Sequence, residues 1–198
     1  PVDMRSHFNK GRTFVDLFNI EKNKEIVDIG AYCLMPNHFH LLIFEKQSMG
    51  ISTFMQKLTT AYSMYFNKIH ERTGGLFEGR FKAKHIDNEP YFNWLFSYIH
   101  LNPIKILNPN WKEVSINNIP EAKPFLSNYQ YSSYIDYFVE KRPESIILNK
   151  GAFPEHFKQI NDMDTLLSEF ENSPEIIIKQ MKPALEKKID KLLSKGKI

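Results

Sequence analysis

The sequence predicts an α+β fold, in which a pair of strands is followed by a helix, a further strand and more helices. Three observations predict it. Residues 26–45 read as strand, interruption, strand; residues 48–70 carry apolar side chains at helical spacing; and residues 88–102 have both a helix start and a helix stop. The first stretch opens β-branched, Ile-Val-Asp-Ile, and closes on alternating His-Phe-His-Leu-Leu-Ile. Pro36 cannot donate to a central ladder, so it marks the break. In the second, Ser48 or Ser52 suits the start, and Phe54, Leu58, Ala61, Tyr62, Tyr65, Phe66 and Ile69 recur on one helical face. In the third, Asn88 is the expected cap, Glu89 and Pro90 suit the first turn, and Pro103 ends the element.

The remaining segments carry weaker signals. A short helix is expected around Thr13 to Ile20, and residues 76–87 read as a strand, Leu76 to Ile86. Gly74 and Gly75 separate that strand from the preceding helix. Pro109, Pro120 and Pro124 make residues 107–128 mostly loop, residues 129–140 carry a cluster of aromatics, and from about 155 the chain reads as helical and charged. The organisation predicted is one domain over 1–140 and a helical extension over 141–198.

Composition excludes several classes. Of 198 residues, 42% are hydrophobic and 25% charged, ordinary for a globular chain with a real core. No apolar run approaches the ~20 residues of a membrane span, and no leader is visible, so no membrane partner is expected. The lone Cys33 cannot form an internal disulfide, which makes a reducing, cytoplasmic setting the default. The net charge of +3 is too small to establish nucleic-acid binding by itself. Aromatic content is 14%, and rings beside basic residues suit base stacking next to phosphate neutralisation, although most such rings belong to cores.

Three features carry possible chemistry. His38-Phe39-His40 places two imidazoles on one face of a strand, where they can share a metal ion, with Phe39 turned to the opposite, apolar side with Leu41 and Ile43. His-x-His alone is weak evidence, because structural histidines explain most such pairs. Tyr98 and Asn102 are four apart and share a helix face. A phenol with an ordinary pKa near ~10 needs a cation or a base to attack phosphorus. Asn102 offers an oxygen to such a cation; the plain alternative is a buried tyrosine and a helix-ending asparagine. His100, between them, should face elsewhere and is read as structural. The third feature is basic: Lys57, Lys68, Arg72, Arg80, Lys82 and Lys84 face only Glu71 and Glu78, six cations against two acids. As a strand, residues 80, 82 and 84 would share one face and form a track for a nucleic acid. A solvated cationic face is the alternative.

In combination, Ala31-Tyr-Cys-Leu-Met-Pro-Asn-His-Phe-His-Leu-Leu-Ile43, Gly75-Leu-Phe-Glu-Gly-Arg-Phe-Lys-Ala-Lys84, Tyr98-Ile-His-Leu-Asn-Pro103 and Tyr131-Ser-Ser-Tyr134 resemble the REP-associated tyrosine transposases. These are relatives of the single-tyrosine insertion-sequence transposases within the HUH endonuclease superfamily. The resemblance covers roughly residues 26–137. It implies a ferredoxin-like sandwich with an antiparallel sheet. It also implies His38, His40 and Asn102 as ligands of Mg²⁺ or Mn²⁺, and Tyr98 as nucleophile. Lys57, Arg72, Arg80, Lys82 and Lys84 would contact single-stranded or hairpin DNA, in a monomer or a homodimer.

The resemblance departs at the start. Relatives begin with a strand and a basic-glycine turn, where residues 1–24 offer Arg5, His7, Lys10, Gly11 and Arg12, so truncation or divergence of a first strand is expected. The activity implied is metal-dependent cleavage and transfer of single strands through a 5′-phosphotyrosine. Two alternatives stay open: an inactive nucleic-acid-binding regulator on the same scaffold, and a histidine-dependent hydrolase that uses water.

Overall fold

The structure is a computed structural model that describes residue 16 and residues 24–111, 121–153 and 162–171. The helix expected at Thr13–Ile20 and the first strand lie outside the described residues, Asp16 apart.

Strands β1 (Val27–Leu34) and β2 (Phe39–Glu45) pair antiparallel, with Cys33 opposite His40 and Ala31 opposite Leu42. The expected break falls at residues 35–38, where the His38 carbonyl accepts from the Met35 N–H at 2.8 Å. Pro36 sits inside this turn, off the ladder. The register shifts between Ile29 and Ala31, and Gly30 lies there against the Phe153 ring. A Cβ at Gly30 would come within 2.7 Å of that ring, so the bulge admits only glycine without movement.

Four longer helices and two short ones complete the described architecture: α1 (Gly50–Ile69), α2 (Glu89–Leu101), α3 (Ile104–Leu107), α4 (Ala122–Asn128), α5 (Tyr134–Phe138) and α6 (Met163–Glu171). With the paired strands they form an α+β fold. Asn88 caps α2 as its sequence predicts, its side chain accepting from the Tyr91 N–H at 2.9 Å. Helix α4 corrects the expectation of loop through residue 128. Pro124 lies in its first turn, where a missing N–H leaves no intrahelical bond unmade. The strand expected over Leu76–Ile86 does not form either. Residues 77–85 are exposed throughout, so alternation there has no apolar side to bury.

The core lies between one face of the sheet and α2. Ala31, Cys33 and Leu42 meet Phe96 and Ile99 there, with Leu126, Leu166 and Leu167 closing it. Helix α6 therefore packs on the same core as the strands. The opposite sheet face holds Phe39, Leu41 and Ile43 only half-buried. The histidine side of β2 is thus the more deeply buried one, the reverse of the sequence reading.

The Tyr131–Tyr134 segment is bound to β1. Tyr131 O accepts from Leu34 N–H, and Tyr32 and Ser133 exchange backbone and hydroxyl bonds at 2.9–3.1 Å. Behind it, the fully buried Asp136 carboxylate receives the Arg142 guanidinium, which also donates to Gln130 O, Ser132 O and Tyr32 Oη. Truncating Asp136 would leave this partly buried guanidinium without its paired carboxylate. Asp136→Ala is expected to lower stability by about 3–5 kcal/mol. Urea unfolding checks it, and a loss below about 1 kcal/mol would show that the network adds little.

Candidate active site

Each site residue is placed by a local rule of its element. His40 is the second residue of β2 and shares its face with Leu42, while His38 stands just before the strand. Their rings lie 5.1 Å apart, edge to face. Tyr98 and Asn102 sit one turn apart at the end of α2, where the Asn102 N–H donates to Tyr98 O at 3.0 Å. Because α2 packs on the histidine face of the sheet, the Tyr98 ring lies 5.4 Å from the His40 ring. Residues 58 apart in sequence thus meet within one chain.

The chemistry of each group follows from its surroundings. His38 Nδ1 lies 2.6 Å from Asn37 Oδ1. An amide oxygen only accepts, so Nδ1 carries the proton and Nε2 keeps its lone pair for a ligand. Partial burial, and then Lys105, lower the His38 pKa and favour its neutral form. Burial raises the Tyr98 phenol above its ordinary value; contact with Asn102 lowers it, and Cys33 raises it. Asn102 is almost fully buried, and its Nδ2 meets no acceptor in hydrogen-bonding geometry among the described residues. A buried amide in that state is costly, and a half-turn presents its oxygen instead. The donor set fits a divalent cation: two imidazoles and one buried amide whose oxygen is a hard donor. Among the described residues, no three His, Cys, Asp or Glu side chains come together at one point.

The structure adds residues that the sequence reading missed. Trp94 stacks on the Tyr98 ring at 5.1 Å and Trp111 at 6.2 Å, and Phe170 of α6 stacks on both tryptophans. Trp94 lies four residues before Tyr98, so helical spacing could have found it; Trp111 and Phe170 have no local signal. Asn37 was visible only as a flank.

His100 points into the core, as expected. Its Nδ1 bonds Phe96 O at 3.0 Å and its Nε2 lies 2.8 Å from Ser133 Oγ, so both nitrogens of the neutral ring are engaged. Burial drives its pKa down to about 3. The unfolded chain binds this proton near ~6.5 and the folded chain does not. Stability is therefore full above pH 6.5 and falls as pH drops towards 3, by on the order of 5 kcal/mol in full. Unfolding measured across this range should show a flatter acid limb for His100→Gln; an unchanged limb would contradict the assignment.

The predicted DNA contacts are all exposed. Lys57 is on α1, and Arg72, Arg80, Lys82 and Lys84 follow it in irregular chain. The last three do not share a strand face, since no strand forms. Arg72 lies over the Phe66 ring at 5.7 Å, and Lys84 over Tyr91 at 4.7 Å.

Residues 11–102 match the family model for IS200-like transposases. The match covers just under half of the chain and takes in both strands, α1, α2 and all four residues of the His–Tyr–Asn cluster. It supports a transposase-type assignment, with action on DNA. No curated protein and no solved structure matches the chain. Among the described residues, no helix is long and apolar enough to cross a membrane.

Proposed function

We propose that the chain is a metal-dependent single-strand DNA endonuclease and strand transferase of the tyrosine, HUH type, akin to the REP-associated transposases. The observation that carries this reading is the Tyr98 ring beside His40 of the same chain, with Asn102 one helical turn away.

His38 Nε2, a nitrogen of His40 and the Asn102 oxygen would hold Mg²⁺ or Mn²⁺, and the imidazoles favour Mn²⁺ of the two. When bound, the cation would polarise the scissile phosphate and offset the charge that develops on it. Tyr98 Oη attacks phosphorus. A P–Oη bond forms, the P–O3′ bond breaks, and the phenolic proton is balanced by the one taken up at the departing 3′ oxygen. The result is a 5′-phosphotyrosine and a free 3′-hydroxyl. The linkage keeps the energy of the phosphodiester, so a 3′-hydroxyl can reverse the step and rejoin DNA without ATP. Trp94 and Trp111 hold the phenol ring in place by stacking, and the whole set sits in one protomer. A labelled hairpin oligonucleotide incubated with Mn²⁺ tests the proposal: a covalent protein–DNA species is expected, and free 5′-phosphate ends without an adduct would reject it.

A further inference from the structure

We infer that a row of aromatic rings running from the histidine strand onto α1 is a stacking path for single-stranded DNA, an assignment that rests on the DNA-acting reading above. The row begins at Phe39, which lies between the two histidines in sequence. Its ring meets Phe77 edge-on at 6.1 Å. Phe77 in turn lies 6.2 Å from Tyr62, and Tyr62 lies 6.2 Å from Phe66 on the next turn of α1.

Two features set this row apart from a core. Tyr62 is 49% and Phe77 37% exposed, so both rings keep a large part of their surface in solvent beside their contacts with each other. Three of its four rings, Tyr62, Phe66 and Phe77, also lie within the basic stretch from Lys57 to Lys84, with Arg72 over the Phe66 ring. Apolar rings at a surface call for a partner that covers them. Six cations against two acids make that partner an anion, which disfavours an ordinary protein surface and a second copy of this cationic face. A nucleic acid supplies both requirements, phosphates for the cations and flat bases for the rings. A duplex hides its base faces by stacking them on each other, so the match is to a single strand.

The test uses the full chain carrying Tyr98→Phe, in chelator, so that binding is read without cleavage. The probe is a fluorescent oligothymidylate, compared with a duplex of equal length. Tyr62→Ala and Phe77→Ala are each expected to weaken single-strand binding roughly 5- to 50-fold, with little effect on the duplex. Their plots of affinity against salt should keep the original slope, because no phosphate contact is lost. Arg80→Ala should instead reduce that slope by about 1. Both rings are exposed, so unchanged thermal unfolding is the folding control. Undiminished affinity in both aromatic variants would overturn the inference. So would equal losses on duplex, or a loss accompanied by conversion of a dimer to a monomer, which would make the row a self-association face. If the unmodified chain forms no adduct with DNA, the proposed chemistry fails while this binding result stands on its own.

Discussion

Tyr98→Phe is expected to abolish the covalent protein–DNA species and to reduce cleavage by at least ~10³-fold. The substitution removes one oxygen and keeps the ring. Its stacking between Trp94 and Trp111 should survive, so the fold and DNA binding are expected to remain close to normal. The loss is large because no side chain at this position of α2 replaces the nucleophile. The same hydroxyl sets a pH dependence. Burial raises the Tyr98 pKa, so at neutral pH the phenol is protonated and only a small fraction is phenolate. That fraction grows about tenfold per pH unit below the pKa, so adduct formation should rise with pH from 6 to 9. Gel analysis of single-turnover reactions reads both effects. Wild-type rates in Tyr98→Phe would remove the tyrosine from the chemistry.

The second large effect is expected at the histidines. His38→Ala and His40→Ala should each lower cleavage by at least ~100-fold at fixed Mn²⁺ and weaken Mn²⁺ binding in calorimetry. Single-strand DNA binding in chelator should change far less, because the basic stretch and the aromatic row are untouched. His38 is the cleaner probe, since it is half-buried and borders the turn, whereas His40 also packs beside Leu42. Asn37→Ala provides a graded control. It frees the His38 ring to turn and should cost roughly 10-fold in Mn²⁺ affinity. Full cleavage by both histidine variants would contradict a metal role. Full DNA binding with no cleavage by the unmodified chain would favour the reading as an inactive regulator.

The parts of this site that follow from local periodicity were legible in the sequence. Period two puts His38 and His40 on one side of a strand, and period 3.6 puts Tyr98 above Asn102. Both strands, the Pro36 break and the Asn88 cap follow from the same rules, because each depends on neighbours in sequence. What failed depended on distant contacts. Alternating Arg80, Lys82 and Lys84 look the same in a strand and in an exposed irregular segment; only a pairing partner and a buried face distinguish them. The prolines near residue 124 suggested loop, but one of them fits a helical first turn. Which face of β2 is buried was reversed, since α2 packs on the histidine side and Phe39 looks towards Phe77. Trp111 reaches Tyr98 from 13 residues away and Phe170 reaches Trp111 from 59 residues away, which no local pattern encodes.

The meeting of Tyr98 with the histidine pair is the centre of the account, and mapping the protein–DNA bond tests it most directly. Hairpin oligonucleotide and Mn²⁺ are incubated with the protein, the adduct is digested with protease and nuclease, and the modified peptide is sequenced by mass spectrometry. The expected result is a nucleotide 5′-phosphate on the Tyr98 hydroxyl, in the peptide that also carries Asn102. A phosphate on any other residue, or cleaved DNA with unattached 5′-phosphate ends, would contradict it.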